Sequence, residues 1–132
     1  MALEDIAAFW NSEPGRKIRA QAANVRRELA FTARFSPAEL AAITGAKSAP
    51  GLEDEFVVVQ GVADLVVLLP EEIWLADFKT DEIRPDGLPD KIKAYAPQLK
   101  LYAHALEKIY SRPVTERWLH FLPARKTVVM EV

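Results

Sequence analysis

The chain has no cysteine. Disulfides, iron–sulfur clusters, thiolate zinc sites and thiol nucleophiles are therefore excluded. It has two histidines, His104 and His120, too few for a zinc site built mainly of imidazole. No run approaches the roughly 20 apolar residues that cross a bilayer. The opening, Met1 to Asp5, is acidic where a secretory leader is basic. Both observations point to the cytoplasm and away from a membrane. There is no excess of positive charge: the formal net charge is -2. That excludes a generally basic protein that coats nucleic acid but leaves room for a local basic patch. What remains is 132 residues, half of them apolar and 27% charged. This suits one soluble domain with its own core.

No internal repeat or low-complexity run is present. Leu3, Ile6, Ala7, Phe9 and Trp10 fall at helical spacing, and Glu13-Pro14-Gly15 is expected to break that helix. Arg27 to Phe35 alternates as a strand. Ser36-Pro37-Ala38-Glu39 is a helix start, with Ser36 as N-cap and Glu39 closing a capping box. That helix should end at Gly45, before a loop over 46–54. Glu55 to Gln60 and Val62 to Leu69 read as strand runs separated by a bulge or bend at Gly61. Ile73 to Lys79 returns as a hairpin partner after Pro70-Glu71-Glu72. The longest helix spans Lys91 to Tyr110, and Pro97 predicts a kink or a late start. Val114 to Leu122 and Thr127 to Val132 are further strands. The order is that of an α/β domain built on a mixed sheet.

The chemistry concentrates in Gly61-Val62-Ala63-Asp64-Leu65 and Asp77-Phe78-Lys79. Aspartate is depleted inside strands, and burying its charge costs several kcal/mol in order of magnitude unless cations or donors meet it. Two strands joined by a short turn bring Asp64 and Asp77 to one region. Residues i and i+2 of a strand share a face, so Lys79 points with Asp77. Paired carboxylates suit a hard cation such as Mg²⁺. Such an ion can bind a phosphodiester oxygen and lower the pKa of a bound water, and a lysine beside it can stabilise developing charge. The alternative is a plain structural Asp–Lys ion pair. Tyr95, Gln98 and Tyr102 share one helical stripe that offers donors and acceptors to phosphate or bases. The tyrosines could equally be core aromatics. Arg16, Lys17, Arg19, Arg26, Arg27 and Arg34 cluster along the chain against one acid, Glu28. They suit either a DNA backbone or a solvated docking face.

Gly-x-x-Asp, then Asp-x-Lys-Thr, then Gln-x-x-x-Tyr resembles the motif order of the PD-(D/E)XK nuclease superfamily in its RecB-like branch. The likeness spans roughly residues 25–123 and is best to the C-terminal nuclease domain of AddA-type helicase–nucleases. Val25 to Phe31 is similar to the strand ahead of the site. Asp77-Phe78-Lys79-Thr80-Asp81 and Tyr95-x-x-Gln98-Leu99-x-x-Tyr102 are similar to the later motifs, and Trp118 to Leu122 to the last strand. The resemblance implies a restriction-endonuclease-like fold, a mixed central sheet flanked by helices. Residues 1–132 would form a single nuclease-like domain, with 1–24 a helical lead-in and 25–132 the nuclease core. It implies Asp64, Asp77 and the Phe78 carbonyl as metal ligands and Lys79 as the catalytic lysine. Gln98 and Tyr102 would act beside the site and contact the DNA strand, as would Tyr95, Arg26 and Arg27. Glu28 and Thr80 would orient these groups from behind.

The implied activity is Mg²⁺-dependent (or Mn²⁺-dependent) exonucleolytic hydrolysis of DNA in double-strand-break repair. The implied partners are DNA, helicase domains of the same full-length chain and an AddB-type subunit, in the bacterial cytoplasm at the nucleoid. This branch usually carries a histidine ligand on a helix well upstream of the first aspartate, whereas here no histidine precedes His104 and no ATP-binding Walker A motif occurs. Both features fit a fragment of a longer helicase–nuclease, whose isolated activity could be lost. The competing expectation is a catalytically incomplete, nuclease-like module that binds DNA or serves as a scaffold.

Overall fold

The structure, a computed structural model, describes residues 3–45 and 55–131. The loop expected over 46–54 and the terminal Val132 lie outside the described residues. Helix α1 (Leu3–Asn11) buries Phe9. Glu13-Pro14-Gly15 does not simply end it but opens a second helix, α2 (Glu13–Arg19). The Ser12 Oγ accepts from the Gly15 amide at 3.2 Å, and proline is tolerated because first-turn amides have no helical acceptor. At Gly15 a Cβ would overlap the carbonyl oxygen of Phe9. Only glycine lets α1 and α2 meet this closely. A short 3₁₀ turn, Ala22–Asn24, leads into strand β1 (Val25–Phe35).

Helix α3 (Pro37–Thr44) carries both arms of the expected capping box. The Glu39 amide donates to Ser36 Oγ at 3.1 Å, and the Ser36 amide donates to the Glu39 carboxylate at 2.9 Å. Gly45 ends the helix at φ 76°, a left-handed conformation suited to glycine. Strand β2 (Val57–Leu68) runs without interruption where two strands and a bend were expected. Gly61 stays in register opposite Phe31. Its role is packing: a Cβ there would lie 2.7 Å from the rings of both Phe31 and Tyr102.

Strand β3 (Ile73–Lys79) has the predicted bounds. Helix α4 (Leu88–Tyr110) starts before Lys91, has Pro89 in its first turn and is continuous through Pro97. Strands β4 (Val114–Phe121) and β5 (Lys126–Met130) follow.

The five strands lie in the order β1-β2-β3-β4-β5. β3 and β4 are parallel and the other pairs antiparallel. A parallel pair needs a long crossover, which α4 supplies. One sheet face carries Phe35, Val66, Leu75, Leu119 and Phe121 against Leu99, Ala103 and Leu106 of α4. The other carries Leu65, Val67, Trp74 and Trp118 against Phe9 and Ile18 of α1 and α2. Burial of these side chains at about 25 cal/mol per Å² is the main favourable term.

The alternation of β1 and β2 reverses once. Leu29, Phe31, Ala33 and, across from them, Ala63 and Val59 face the α4 side. Val25, Leu65 and Val67 face the α1 side. The reversal falls between Arg27 and Leu29 and between Ala63 and Leu65, that is, at Glu28 and Asp64. No residue is inserted, because the register is the same on both sides. Glu28 takes φ 48° instead, a conformation uncommon for a residue with a side chain. The long β1/β2 ribbon thereby turns over at the level of the first acid.

Candidate active site

Pairing of β2 with β3 runs from Leu68 opposite Ile73 to Leu65 opposite Ala76 and stops there. The next residues on each strand are Asp64 and Asp77. Because the ribbon turns over at Asp64, its carboxylate is directed toward β3 and its Oδ2 accepts the amide hydrogen of Phe78 at 2.8 Å. The side chain takes the place of the absent strand partner. An amide and a carbonyl of one extended residue project to the same edge. The Phe78 carbonyl therefore faces the same notch, whereas the Lys79 carbonyl faces β4 and accepts from Leu122 at 2.9 Å.

Asp77 and Lys79 share the α4 side of β3, as the two-residue spacing requires, and form an ion pair at 2.9 Å. The ammonium also donates to Gln98 Oε1 at 3.4 Å and lies 4.3 Å from the centroid of the Tyr95 ring. Burial pushes the Asp77 carboxyl up to about 6, aided by its neighbour Asp64, which can accept the proton Asp77 retains, and opposed by Lys79. Burial disfavours the Lys79 charge, but the hydrogen bond and charge of Asp77, with Tyr95 and Asp64 behind, outweigh it and hold the ammonium above its ordinary value.

The notch opens on its α1 side into a mainly apolar cavity of about 200 Å³, lined by Phe9, Trp10, Arg27, Asp64 and Phe78 among others. The Arg27 guanidinium lies 5.2 Å from the Trp10 ring centroid. Arg26, its neighbour on the strand, instead donates to the carbonyls of Ala23 and Val25 and does not line the cavity. The basic residues do not form one patch: Lys17 pairs with Glu116, and Arg34 lies over Phe56 at the far end of the ribbon.

Tyr102 packs edge-on against Phe31 with centroids 4.8 Å apart. Among the described residues, no hydrogen bond joins it to the acids or to Lys79. Glu28 and Thr80 are exposed and make no hydrogen bond or ion pair among the described residues. His104 faces Glu107 at 3.6 Å. His120 is 1% exposed, with Nδ1 2.7 Å from the Thr127 hydroxyl and its ring against Phe9. Burial lowers its pKa. The contacts of Asp81, the last residue of the motif that begins at Asp77, escape sequence reasoning. Asp81 accepts from Tyr95 and from Lys91, and its place directly after Lys79-Thr80 is the one signal that marks it.

Two carboxylates and a backbone carbonyl at the place where β2 and β3 part are oxygen donors of the kind a hard divalent cation takes. Lys79 neutralises only part of their charge. The donor types present therefore fit such an ion, which Asp64, Asp77 and the Phe78 carbonyl would hold.

A profile of the PD-(D/E)XK nuclease superfamily matches residues 3–130. The chain is 35% identical to a subunit of the ATP-dependent helicase/nuclease of Bacillus cytotoxicus and 36% identical to its counterpart in Bacillus mycoides. A Bacillus cereus counterpart is 37% identical. Each match covers 99% of this chain and 11% of the relative. The chain thus spans about a tenth of the length of these curated relatives. The paired acids at the end of a strand pairing, the lysine two residues on and a match over almost the whole chain place this protein in the PD-(D/E)XK nuclease superfamily.

Proposed function

We propose that this domain is the metal-dependent DNA nuclease of an AddA-type helicase–nuclease, hydrolysing phosphodiester bonds at double-strand breaks. The observation that carries the reading is the convergence of Asp64, Asp77 and Lys79 where β2 and β3 part. Mg²⁺, with Mn²⁺ as a substitute, is the cofactor the donor set suits. When bound, it supplies Lewis-acid charge and a water of lowered pKa. Asp64 and Asp77 hold the ion, and the amide of Phe78 fixes Asp64 in its orientation. The Lys79 ammonium binds a non-bridging oxygen of the scissile phosphate and offsets the charge that grows there. Gln98 orients that ammonium from α4. Arg27, which lines the cavity on the α1 side, would meet a neighbouring phosphate. The partners would be DNA, helicase domains of the full-length chain and an AddB-type subunit, in the bacterial cytoplasm at the nucleoid.

The test is cleavage of end-labelled duplex DNA by the full-length polypeptide, assembled with its partner and supplied with Mg²⁺. Asp64→Asn, Asp77→Asn and Lys79→Ala should each reduce cleavage by about 10²-fold or more while DNA binding persists. Undiminished cleavage by Asp77→Asn would refute the assignment. Salt-sensitive DNA binding with no cleavage by the wild type would favour a scaffolding module.

A further inference from the structure

Asp81 lies two residues beyond Lys79, outside the converging acids, and its carboxylate is committed to α4. Lys91 donates to Oδ2 at 2.9 Å. The Tyr95 hydroxyl donates at 2.8 Å to Oδ2 and 3.0 Å to Oδ1. Lys91 and Tyr95 are four residues apart, one turn on the same helix face, so one carboxylate spans both. Hydrogen bonds from Lys91 and then Tyr95 hold Asp81 below the ordinary carboxylate range. Such charge-assisted bonds are stronger than neutral ones.

A phenol gripped at its hydroxyl cannot swing away about its Cα–Cβ bond, and here the held ring turns a face to Lys79, with Nζ 4.3 Å from the centroid. The face of an aromatic ring is its negative side and attracts an ammonium. Donating the hydroxyl proton to a carboxylate makes the ring richer in electrons still. Lysine otherwise has a flexible four-carbon stem with much rotamer freedom. Of its other two partners, Asp77 is shared with Asp64 and Gln98 is at the long distance of 3.4 Å. The Tyr95 ring packs at a tilt on Phe121, with centroids 6.2 Å apart, and among the described residues Lys79 is the one cation over its face. Its hydroxyl, meanwhile, is already occupied by Asp81, which fits a DNA contact poorly.

We propose that Asp81 is a positioning residue for Lys79, acting through Tyr95: Asp81, braced by Lys91, fixes the phenol, and the fixed ring face holds the ammonium beside the two acids. The consequence for rate rests on the nuclease reading; the positioning itself does not.

The first measurement is therefore independent of activity. In the metal-free protein with carbon-13-labelled lysine, the Lys79 ε-methylene protons should resonate upfield of those of exposed lysines, from the ring current of Tyr95. Tyr95→Leu should abolish the shift, and Asp81→Ala and Tyr95→Phe should reduce it. Tyr95→Phe keeps the ring in α4 and removes only the hydroxyl, so it guards against a loop that fails to order in Asp81→Ala. An unshifted wild-type Lys79, or a shift untouched in both Asp81→Ala and Tyr95→Phe, would overturn the proposal.

The second measurement is DNA cleavage by the full-length protein. Asp81→Ala and Tyr95→Phe should each lower kcat about 10-fold at unchanged KM. The double variant should fall no further, because both changes break one chain of contacts. Losses that multiply, or that appear in KM alone, would overturn it. A ring-current shift that responds as expected beside a wild type that never cleaves would sustain the positioning and sink the nuclease reading. Normal cleavage with no such shift would do the reverse.

Discussion

The Asp64 carboxylate accepts the Phe78 amide hydrogen at 2.8 Å, in the position a β2 carbonyl would have filled had the two strands stayed paired. One side chain thus closes the end of a strand pairing and leaves its second oxygen uncommitted to that bond. Structure and chemistry are separable here. Asp64→Asn retains an oxygen acceptor for Phe78, whereas Asp64→Ala leaves that amide without one. Urea unfolding should show Asp64→Ala destabilised by about 1–3 kcal/mol and Asp64→Asn by less, while both lose cleavage alike. Equal stability of the two variants would mean that the Phe78 bond contributes nothing.

Gly61 has no room for a methyl group between Phe31 and Tyr102. Gly61→Ala should cost about 1–3 kcal/mol from overpacking. Shortening Tyr102 to leucine in the same chain should return part of it, an interaction readable from a double-mutant cycle of thermal melts. Independent, additive losses would contradict the packing assigned to this glycine.

The pH dependence of stability has a sign that follows from Asp77. Its folded pKa is about 6, above the unfolded value of about 3.9. The folded state therefore holds this proton more tightly, and metal-free stability falls as pH rises through that window. Asp77→Asn should gain on the wild type across it, by on the order of 1–3 kcal/mol. His120 slopes the other way. Burial lowers its folded pKa, so its contribution is complete above about 6.5 and is lost as pH falls. Denaturant midpoints of both proteins across this range check the difference, and parallel curves would contradict it.

Arg117 is 4% exposed, and its Nε has no acceptor among the described residues. Burial lowers its pKa, with Glu107 too remote to pair directly yet near enough to oppose the shift. A buried cation without a close partner is a cost that an apolar side chain removes. Arg117→Met should unfold at equal or higher urea concentration than the wild type. A marked loss of stability would show that the guanidinium is held by groups this arrangement does not contain.

Much of this is legible in the residues. Ser36 and Glu39 announce their capping box because both bonds are local. Asp77 and Lys79 share a side because strand geometry allows nothing else. The two acids fall in one region on sequence grounds because strand carboxylates demand a joint explanation. The misreadings involve contacts distant in sequence. Gly61 reads as a bend until Tyr102, on α4, is seen to occupy the space of its missing side chain. Pro14 and Gly15 read as a break because the approach of α1 and α2 has no sequence signature. The arginines cluster in sequence but are dispersed by a ribbon that turns over at Glu28. Asp81 closes the motif that begins at Asp77, but its contacts stay hidden because its partner Tyr95 lies fourteen residues on, across a loop.

The central claim is that Asp64 and Asp77 take up one divalent ion together. Its most direct test follows the side-chain carboxyl carbon-13 resonances of both residues while Mg²⁺ is titrated into the protein at neutral pH. The account predicts that both resonances move along one saturable curve and that replacing either aspartate with asparagine abolishes the response of the other. Movement of one resonance alone, or a response that survives loss of its partner, would contradict it.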